Sequence, residues 1–374
     1  MLKSIYTTAD WFFEGGHGGS VVSYHESKAF AEVSKVQQIY GHLQDLMVED
    51  AYPHNPLMYD HFISTLMTNV CGIQAAHFFG AYFPSCAKRL EHAIVTFTIT
   101  GESHTLGLEE EHRYFHAPGD IYGGHHWVPE KHHENEHLFK YCVSGLKVAN
   151  KIITPSKNGK TNLLQYGIGL EEDNIVVIPF GTDIPISTTP RDIPFKVSTI
   201  GRCGGVKGHR YLARSWRGIH TGIKGAIHFM GFGTDWIQDL WLTDNFQSAN
   251  HKCLGEISED QKRAELLSTS VYVQPSVNEG WGMPVGEAMA YGIPVIVTNE
   301  TGAADMVTDG LDGFIIPIRD PDAISDKILY FYDNPSEIKR MGDNARKKAL
   351  DYSWDKIEER YKMFWTKLYS EERL

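Results

Sequence analysis

Residues 271–298 read VYVQPSVNEGWGMPVGEAMAYGIPVIVT. The apolar run at Val271, the Gly-rich centre, the short Ala- and Met-containing stretch and the second apolar run at Val295 spell strand, loop, helix, strand. That order is the unit of a parallel sheet crossed by helices. Pro284 suits the first helical position, where its missing N–H costs nothing. Gly292 followed by Pro294 stops the helix after about two turns. Two acids, Glu279 and Glu287, lie in this apolar neighbourhood with seven residues between them. The pattern predicts Glu279 at the strand end and Glu287 in the first helical turn, beside exposed backbone N–H groups.

Working outward, short apolar runs alternate with longer amphipathic ones. Strands are expected at KSIYTT near Lys3, HAIVTFT near Ile94, KIITPS at Lys151 and IVVIPFG at Ile175. Helices are expected from Ser20 to Gln38 and from Glu136 to Ala149. TDIPISTTPRDIP, rich in Pro and Thr, reads as a linker. A second alternation follows with KVSTIGR, a helix around Tyr211 to Arg217, AIHFMG, the 271–298 unit, FIIP and helices from Pro321 on. From Ser353, Trp354, Ile357, Tyr361, Phe364 and Leu368 fall on one helical stripe. The expected fold class is α/β: a Rossmann-like doubly wound domain over residues 1–190, another over 191–352, and a last helix over 353–374. Two such domains in series put a ligand cleft between the carboxyl ends of their sheets.

A chain of 374 residues with 42% hydrophobic content supports two packed cores. Five scattered cysteines without CxxC spacing suit a reducing cytoplasm. No apolar run is long enough for a signal peptide or a membrane span. The net charge of −12 is uneven: up to Pro190 there are 12 Lys+Arg against 21 Asp+Glu, a balance of −9. That acidic half disfavours nucleic acid and anionic lipid surfaces and predicts no strong membrane association.

A carboxylate beside a helix start can accept bonds from two adjacent hydroxyls, as on a ribose, and the Gly-rich GWGM lets backbone approach a ligand. The plainer alternative is that Glu287 caps its helix electrostatically and Glu279 is solvated. IGRCGGVKG adds Arg202 and Lys207 on a Gly-rich turn after the strand opening the second half. Two cations at a sheet's carboxyl end suit a diphosphate.

PSVNEGWGMPVGEAMAYGIPVIVTNETGAADMVTDGLDGFIIP resembles the donor-binding signature of retaining GT-B glycosyltransferases of family 4, with its two glutamates seven residues apart. IGRCGGVKG resembles the same family's GRxxxxKG, VIPFGTD its VIPNGVD, and IITPS its ITVS strand. The resemblance is dense from Ser198 to Pro317 and patchier before. It implies that Glu287 binds ribose hydroxyls, and that Glu279 holds the donor sugar with the backbone of Gly280, Trp281, Gly282 and Met283. Arg202 and Lys207 would neutralise the departing diphosphate, and backbone from Cys253 to Ile257 would border the base. It implies no cofactor and no divalent metal, a final helix crossing back to the first domain, and bending about the linker that opens and closes the cleft.

In the first half, EGGHGGS places Gly18 and Gly19 at a helix start, like the family's amino-terminal glycine pair, with a tight turn as the alternative. IQAAHFF, at His77, resembles a segment that is mostly structural in the family. The family's histidine after the strand AIVTFTITGESHTLG falls on Thr98 in strict register. Shifted to the TGHSLG form of sucrose-phosphate-synthase-like members, the slot passes to Glu102 or His104, and His104 is the reading adopted. If Thr98 holds the slot, a contact to the donor sugar is altered or lost.

The implied activity moves a hexosyl unit of mannose or glucose type from a GDP- or UDP-linked sugar to a hydroxyl of a saccharide or glycan acceptor. Two rivals remain. HHENEHLF satisfies HExxH, so His133 and His137 with Glu134 would make a zinc metallohydrolase, although no third ligand follows at a motif spacing. A catalytically silent nucleotide-sugar-binding module is the other. Asp320-Pro321-Asp322 looks like a metal-binding DxD but reads better as a helix cap and first turn.

Overall fold

The computed structural model describes residues 3–8, 18–33, 35–38, 75–79, 87, 88, 90, 93–99, 101, 143–188, 193–203, 205–234 and 250–371. Two compact units emerge. The first contains residues up to Gly101, a stretch ending at Pro179, and Trp354–Leu374; the second contains Phe180–Ser353.

In the first unit, β1 (Lys3–Thr8), β2 (Lys35–Gln38), β3 (Ala75–Phe79), β4 (Ile94–Thr98), β5 (Lys151–Thr154) and β6 (Ile175–Val177) form one sheet in the order β2-β1-β3-β4-β5-β6. Every pairing is parallel. Such a sheet is buried on both faces, which is why β4 reads as an unbroken run with all five residues buried. The core beside it gathers Phe78, Val95, Phe97, Leu146, Ile152 and Leu163, the last from α2 (Lys157–Leu164). The expected helix 20–38 divides. α1 spans Gly18–Val33, and the Val-containing KVQQ that follows pairs with β1 as β2. Of the helix expected from Glu136, the described part is short and ends in a 3₁₀ turn at Gly145–Val148.

The second unit's sheet joins β7 (Phe195–Ile200), β8 (Gly225–Met230), β9 (His251–Cys253), β10 (Val271–Gln274), β11 (Val295–Thr298) and β12 (Gly313–Ile316) in the order β12-β11-β10-β7-β8-β9. All five pairings are parallel. Chain order runs outward one way from β7 to β9 and the other way from β10 to β12. The switch point therefore falls between β7 and β10, and ligands of open parallel sheets bind in the crevice at the carboxyl ends there. Helices α3 (His209–Ile219), α4 (Glu259–Leu267) and α5 (Met283–Ala290) lie in the connections between strands, and α6 (Pro321–Asp333) and α7 (Pro335–Ala349) follow β12. Trp216, Leu212, Phe229, Val273, Ile296, Ile328 and Phe331 fill the core. Asp320 caps α6 through a 2.9 Å bond from the Ala323 N–H, with Pro321 next, so the DxD-like stretch is a helix start.

The last helix, α8 (Trp354–Glu371), belongs to the first unit. It lies on α1: Lys28 donates to both Glu358 oxygens at 2.9 and 2.8 Å, and the His25 ring stacks on Trp354 with centroids 4.0 Å apart. Trp354, Ile357, Tyr361 and Leu368 are buried as the stripe requires, and Trp365, off the stripe, is fully buried too, edge-on to Phe30 and His77. Phe364, one position before it, keeps intermediate exposure.

Candidate active site

The loop after β7 carries Arg202 and Lys207, and the loop after β10 carries Glu279. The switch point thus brings together residues more than seventy positions apart. Lys207, at the end of a 3₁₀ turn, forms an ion pair with Glu279. Backbone locks the two loops together, since the Val277 N–H donates to the Val206 carbonyl at 2.7 Å. Gly208 has φ 67°, and a Cβ there would collide with the Pro275 carbonyl. Only glycine lets the β7 loop lie against the end of β10. Beneath them, the Tyr272 hydroxyl bonds Gln274 at 2.7 Å, and the Ile200 N–H donates to it at 3.2 Å. Gln274 in turn donates to Ser276 at 2.7 Å. This buried polar ladder along one face of β10 pins the strand ends that launch both loops. Arg202 lies over the Phe232 ring, 5.4 Å from its centroid, in the turn after β8.

Helix α5 opens at Gly282, whose φ of 90° suits glycine, with Met283 first and Pro284 second. That moves Glu287 to the fifth residue. It lies beyond the first turn, so its partner is not a free backbone N–H. Lys262, on α4, donates to its Oε1 at 3.1 Å and lies 3.1 Å from Oε2. Oε2 is buried and accepts no hydrogen bond among the described residues. The side chain as a whole keeps 24% of its surface exposed, so burial is concentrated at the carboxylate. Burial raises the Glu287 carboxyl above its usual range, against the pull of Lys262. The Lys262 ammonium, desolvated but held by Glu287 and Glu259, ends above its own ordinary value. Trp281 is buried and packs against Tyr352, ring centroids 5.6 Å apart. Its side chain anchors the loop, in which Gly280 and Gly282 are buried as well. Gly292 takes φ 74° and ends α5 as expected.

Cys253 closes β9, and Ile257 immediately precedes the α4 cap, where Ser258 and Gln261 form a capping box. Gly18 and Gly19 are the first residues of α1. The Thr98 hydroxyl, fully buried, donates to Glu26 Oε1 at 2.9 Å, and His77 stands 3.3 Å from Oε2 of the same carboxylate. Thr98 is thereby committed inside the first unit. Glu102, His104, His133, Glu134 and His137 lie outside the described residues. Among the described residues no cluster of His, Cys, Asp and Glu is arranged to hold a metal ion, and no helix is long and apolar enough to cross a membrane.

Lys262 escaped the sequence reading. Its signal was present: EDQKRAELL has too few apolar residues for a stripe, so a helix of that composition packed on a sheet must turn charge inward. It does so twice. Glu265, one turn on, bonds Lys196 at 2.7 Å and His228 at 2.8 Å.

Residues 184–348 match the family described as glycosyl transferases group 1. An uncharacterised glycosyltransferase of Methanocaldococcus jannaschii is 32% identical over 117 residues, 30% of this chain. The match spans 33% of that relative's length, so about a third of it is compared. Among solved structures, sucrose-phosphate synthase of Thermosynechococcus elongatus superposes with a TM-score of 0.75 at 17% identity, over 98% of this chain and 99% of that one. Anabaena HepE, in complex with UDP-glucose, superposes with a TM-score of 0.70 at 15% identity, over 98% and 100%. The two parallel-sheet units thus have the GT-B fold of these structures, and the second unit carries the match to glycosyl transferases group 1.

Proposed function

We propose that the protein is a retaining glycosyltransferase that moves a hexosyl unit from a nucleoside-diphosphate sugar to a hydroxyl of a saccharide or glycan. The observation that carries this is the Lys207–Glu279 pair at the carboxyl ends of the strands flanking the switch point, with Arg202 on the same loop as Lys207. A lysine and an arginine on one loop neutralise a diphosphate bound across the strand ends, and the charge growing on it as the glycosidic bond breaks is met without a divalent metal. Glu279, paired to Lys207 in this state, exchanges that ammonium for sugar hydroxyls while Lys207 turns to phosphate. Glu287 accepts from the ribose, and the segment from Cys253 to Ile257 borders the base. UDP-glucose in HepE supports a nucleoside-diphosphate sugar as donor here as well, and the donor is proposed to be UDP- or GDP-linked. His104 is assigned the histidine slot, because Thr98 is spent on Glu26.

A thermal-shift series with UDP-, GDP- and ADP-sugars tests the donor. A ligand bound only by the native state raises the unfolding midpoint with the logarithm of occupancy. One base series is expected to stand out, and the same sugar nucleotide, supplied with saccharide acceptors, is expected to release its nucleoside diphosphate. Binding without release under any acceptor would make the protein a silent binding module. No shift with any nucleotide would end the donor-site reading.

A further inference from the structure

Resting on that donor-site reading, we infer that Lys262 is itself a donor-binding residue, reading the ribose together with Glu287. The Lys262 ammonium has three donors. Two directions go to carboxylates, Glu287 at 3.1 Å and Glu259 at 2.9 Å. One N–H remains. On the other side of the pair, Glu287 Oε2 is buried and accepts no hydrogen bond among the described residues. A donor and an acceptor therefore stand side by side, a hydrogen bond apart, on facing helices α4 and α5.

A vicinal diol on a furanose ring presents the complementary arrangement. One hydroxyl donates to Glu287 Oε2, and the oxygen of its neighbour accepts from Lys262. A lone carboxylate serves both hydroxyls as acceptor; this pair gives each hydroxyl a different partner, and so reads the two positions separately. Lys262 is placed for it, since α4 starts directly after the segment from Cys253 to Ile257 at the base end. The position is held from behind as well, because Glu265 on the same helix is bonded to Lys196 and His228 in the sheet.

Calorimetric titration of the full chain with UDP, GDP and ADP and with their 2′-deoxy and 3′-deoxy forms tests this. In the wild type both deoxy forms of the preferred nucleotide should bind about tenfold weaker or worse, the worth of a hydrogen bond to a charged group. In Lys262→Met the ribo form should lose a similar factor, and one of the two deoxy penalties should vanish while the other persists. Glu287→Gln should weaken the other. Lys262→Gln keeps a neutral donor and should retain part of the penalty, so it decides the matter if the Met variant fails to fold. Both penalties unchanged in the Lys262 variants would overturn the proposal and leave the donor site standing. A wild type that binds no nucleoside diphosphate would instead overturn the donor-site reading, and this inference with it.

Discussion

At the scale of single residues, two buried groups carry consequences for stability. His209, the first residue of α3, is wholly buried and neither ring nitrogen has a hydrogen-bond partner among the described residues. Burial, and secondarily the Lys207 charge, push its imidazolium down to about 3. The folded chain keeps this ring neutral while the unfolded chain protonates it below about 6.5. Stability is thus complete above about pH 6.5 and is lost as pH falls toward about 3. His209→Leu should gain about 1 kcal/mol at neutral pH by removing orphaned polar atoms, and flatten the acid limb of stability. Urea unfolding between pH 4 and 7 would show it, and an unchanged acid limb would refute it. Glu265 runs in the same direction for another reason. His228 and Lys196 hold its carboxyl at about 2 against an ordinary 4.5, so its contribution is present above about 4.5 and fades as pH falls toward 2. Burial lowers the Lys196 ammonium despite Glu265, and that cost offsets part of the gain. Glu265→Gln should therefore cost roughly 2 kcal/mol at pH 7 and little at pH 2.5.

At the scale of elements, the helices differ in how they hold to their sheets, and this decides what a sequence reader can see. α8 shows its stripe plainly, yet the stripe drawn through Phe364 misses the neighbouring Trp365, which fills the space beside Phe30 and His77. A stripe fixes a face only to within a residue, and the choice within it belongs to the cavity on the partner helix. Trp365→Ala should cost about 3–5 kcal/mol, measured by chemical denaturation, because little can collapse into a space bounded by α1 and β3. Phe364→Ala should cost far less, and equal costs would contradict the packing described. α4 is the opposite case. Its polar sequence marks it as a surface helix, while its inner face carries Lys262 and Glu265 into partly buried ion pairs. No periodicity reports that, because charge on a helix is ordinarily solvated. In α5 the start falls one residue ahead of the proline, which shifts Glu287 out of the first turn and onto Lys262.

At the scale of the whole molecule, the two parallel sheets were legible because buried parallel strands announce themselves as unbroken apolar runs, as at VYV and PVIV. The short edge strands β2 and β9 were not, for KVQQ and HKC carry too little apolar signal to separate from helix or loop. The candidate site was legible where its geometry depends on local order, in GRCGGVKG and in the two acids of NEGWGMPVGE. Pairings set by crossover topology, Lys207 with Glu279 and Lys262 with Glu287, needed the fold. The central claim is that those two acids, with the cations facing them, make the sugar-nucleotide site. Its most direct test is the rate of nucleoside diphosphate release from the preferred sugar nucleotide by the Glu279→Gln/Glu287→Gln double variant. The account predicts a loss of at least about a hundredfold against wild type, with the unfolding transition preserved and no thermal shift from the nucleotide. Full release by that variant would contradict it.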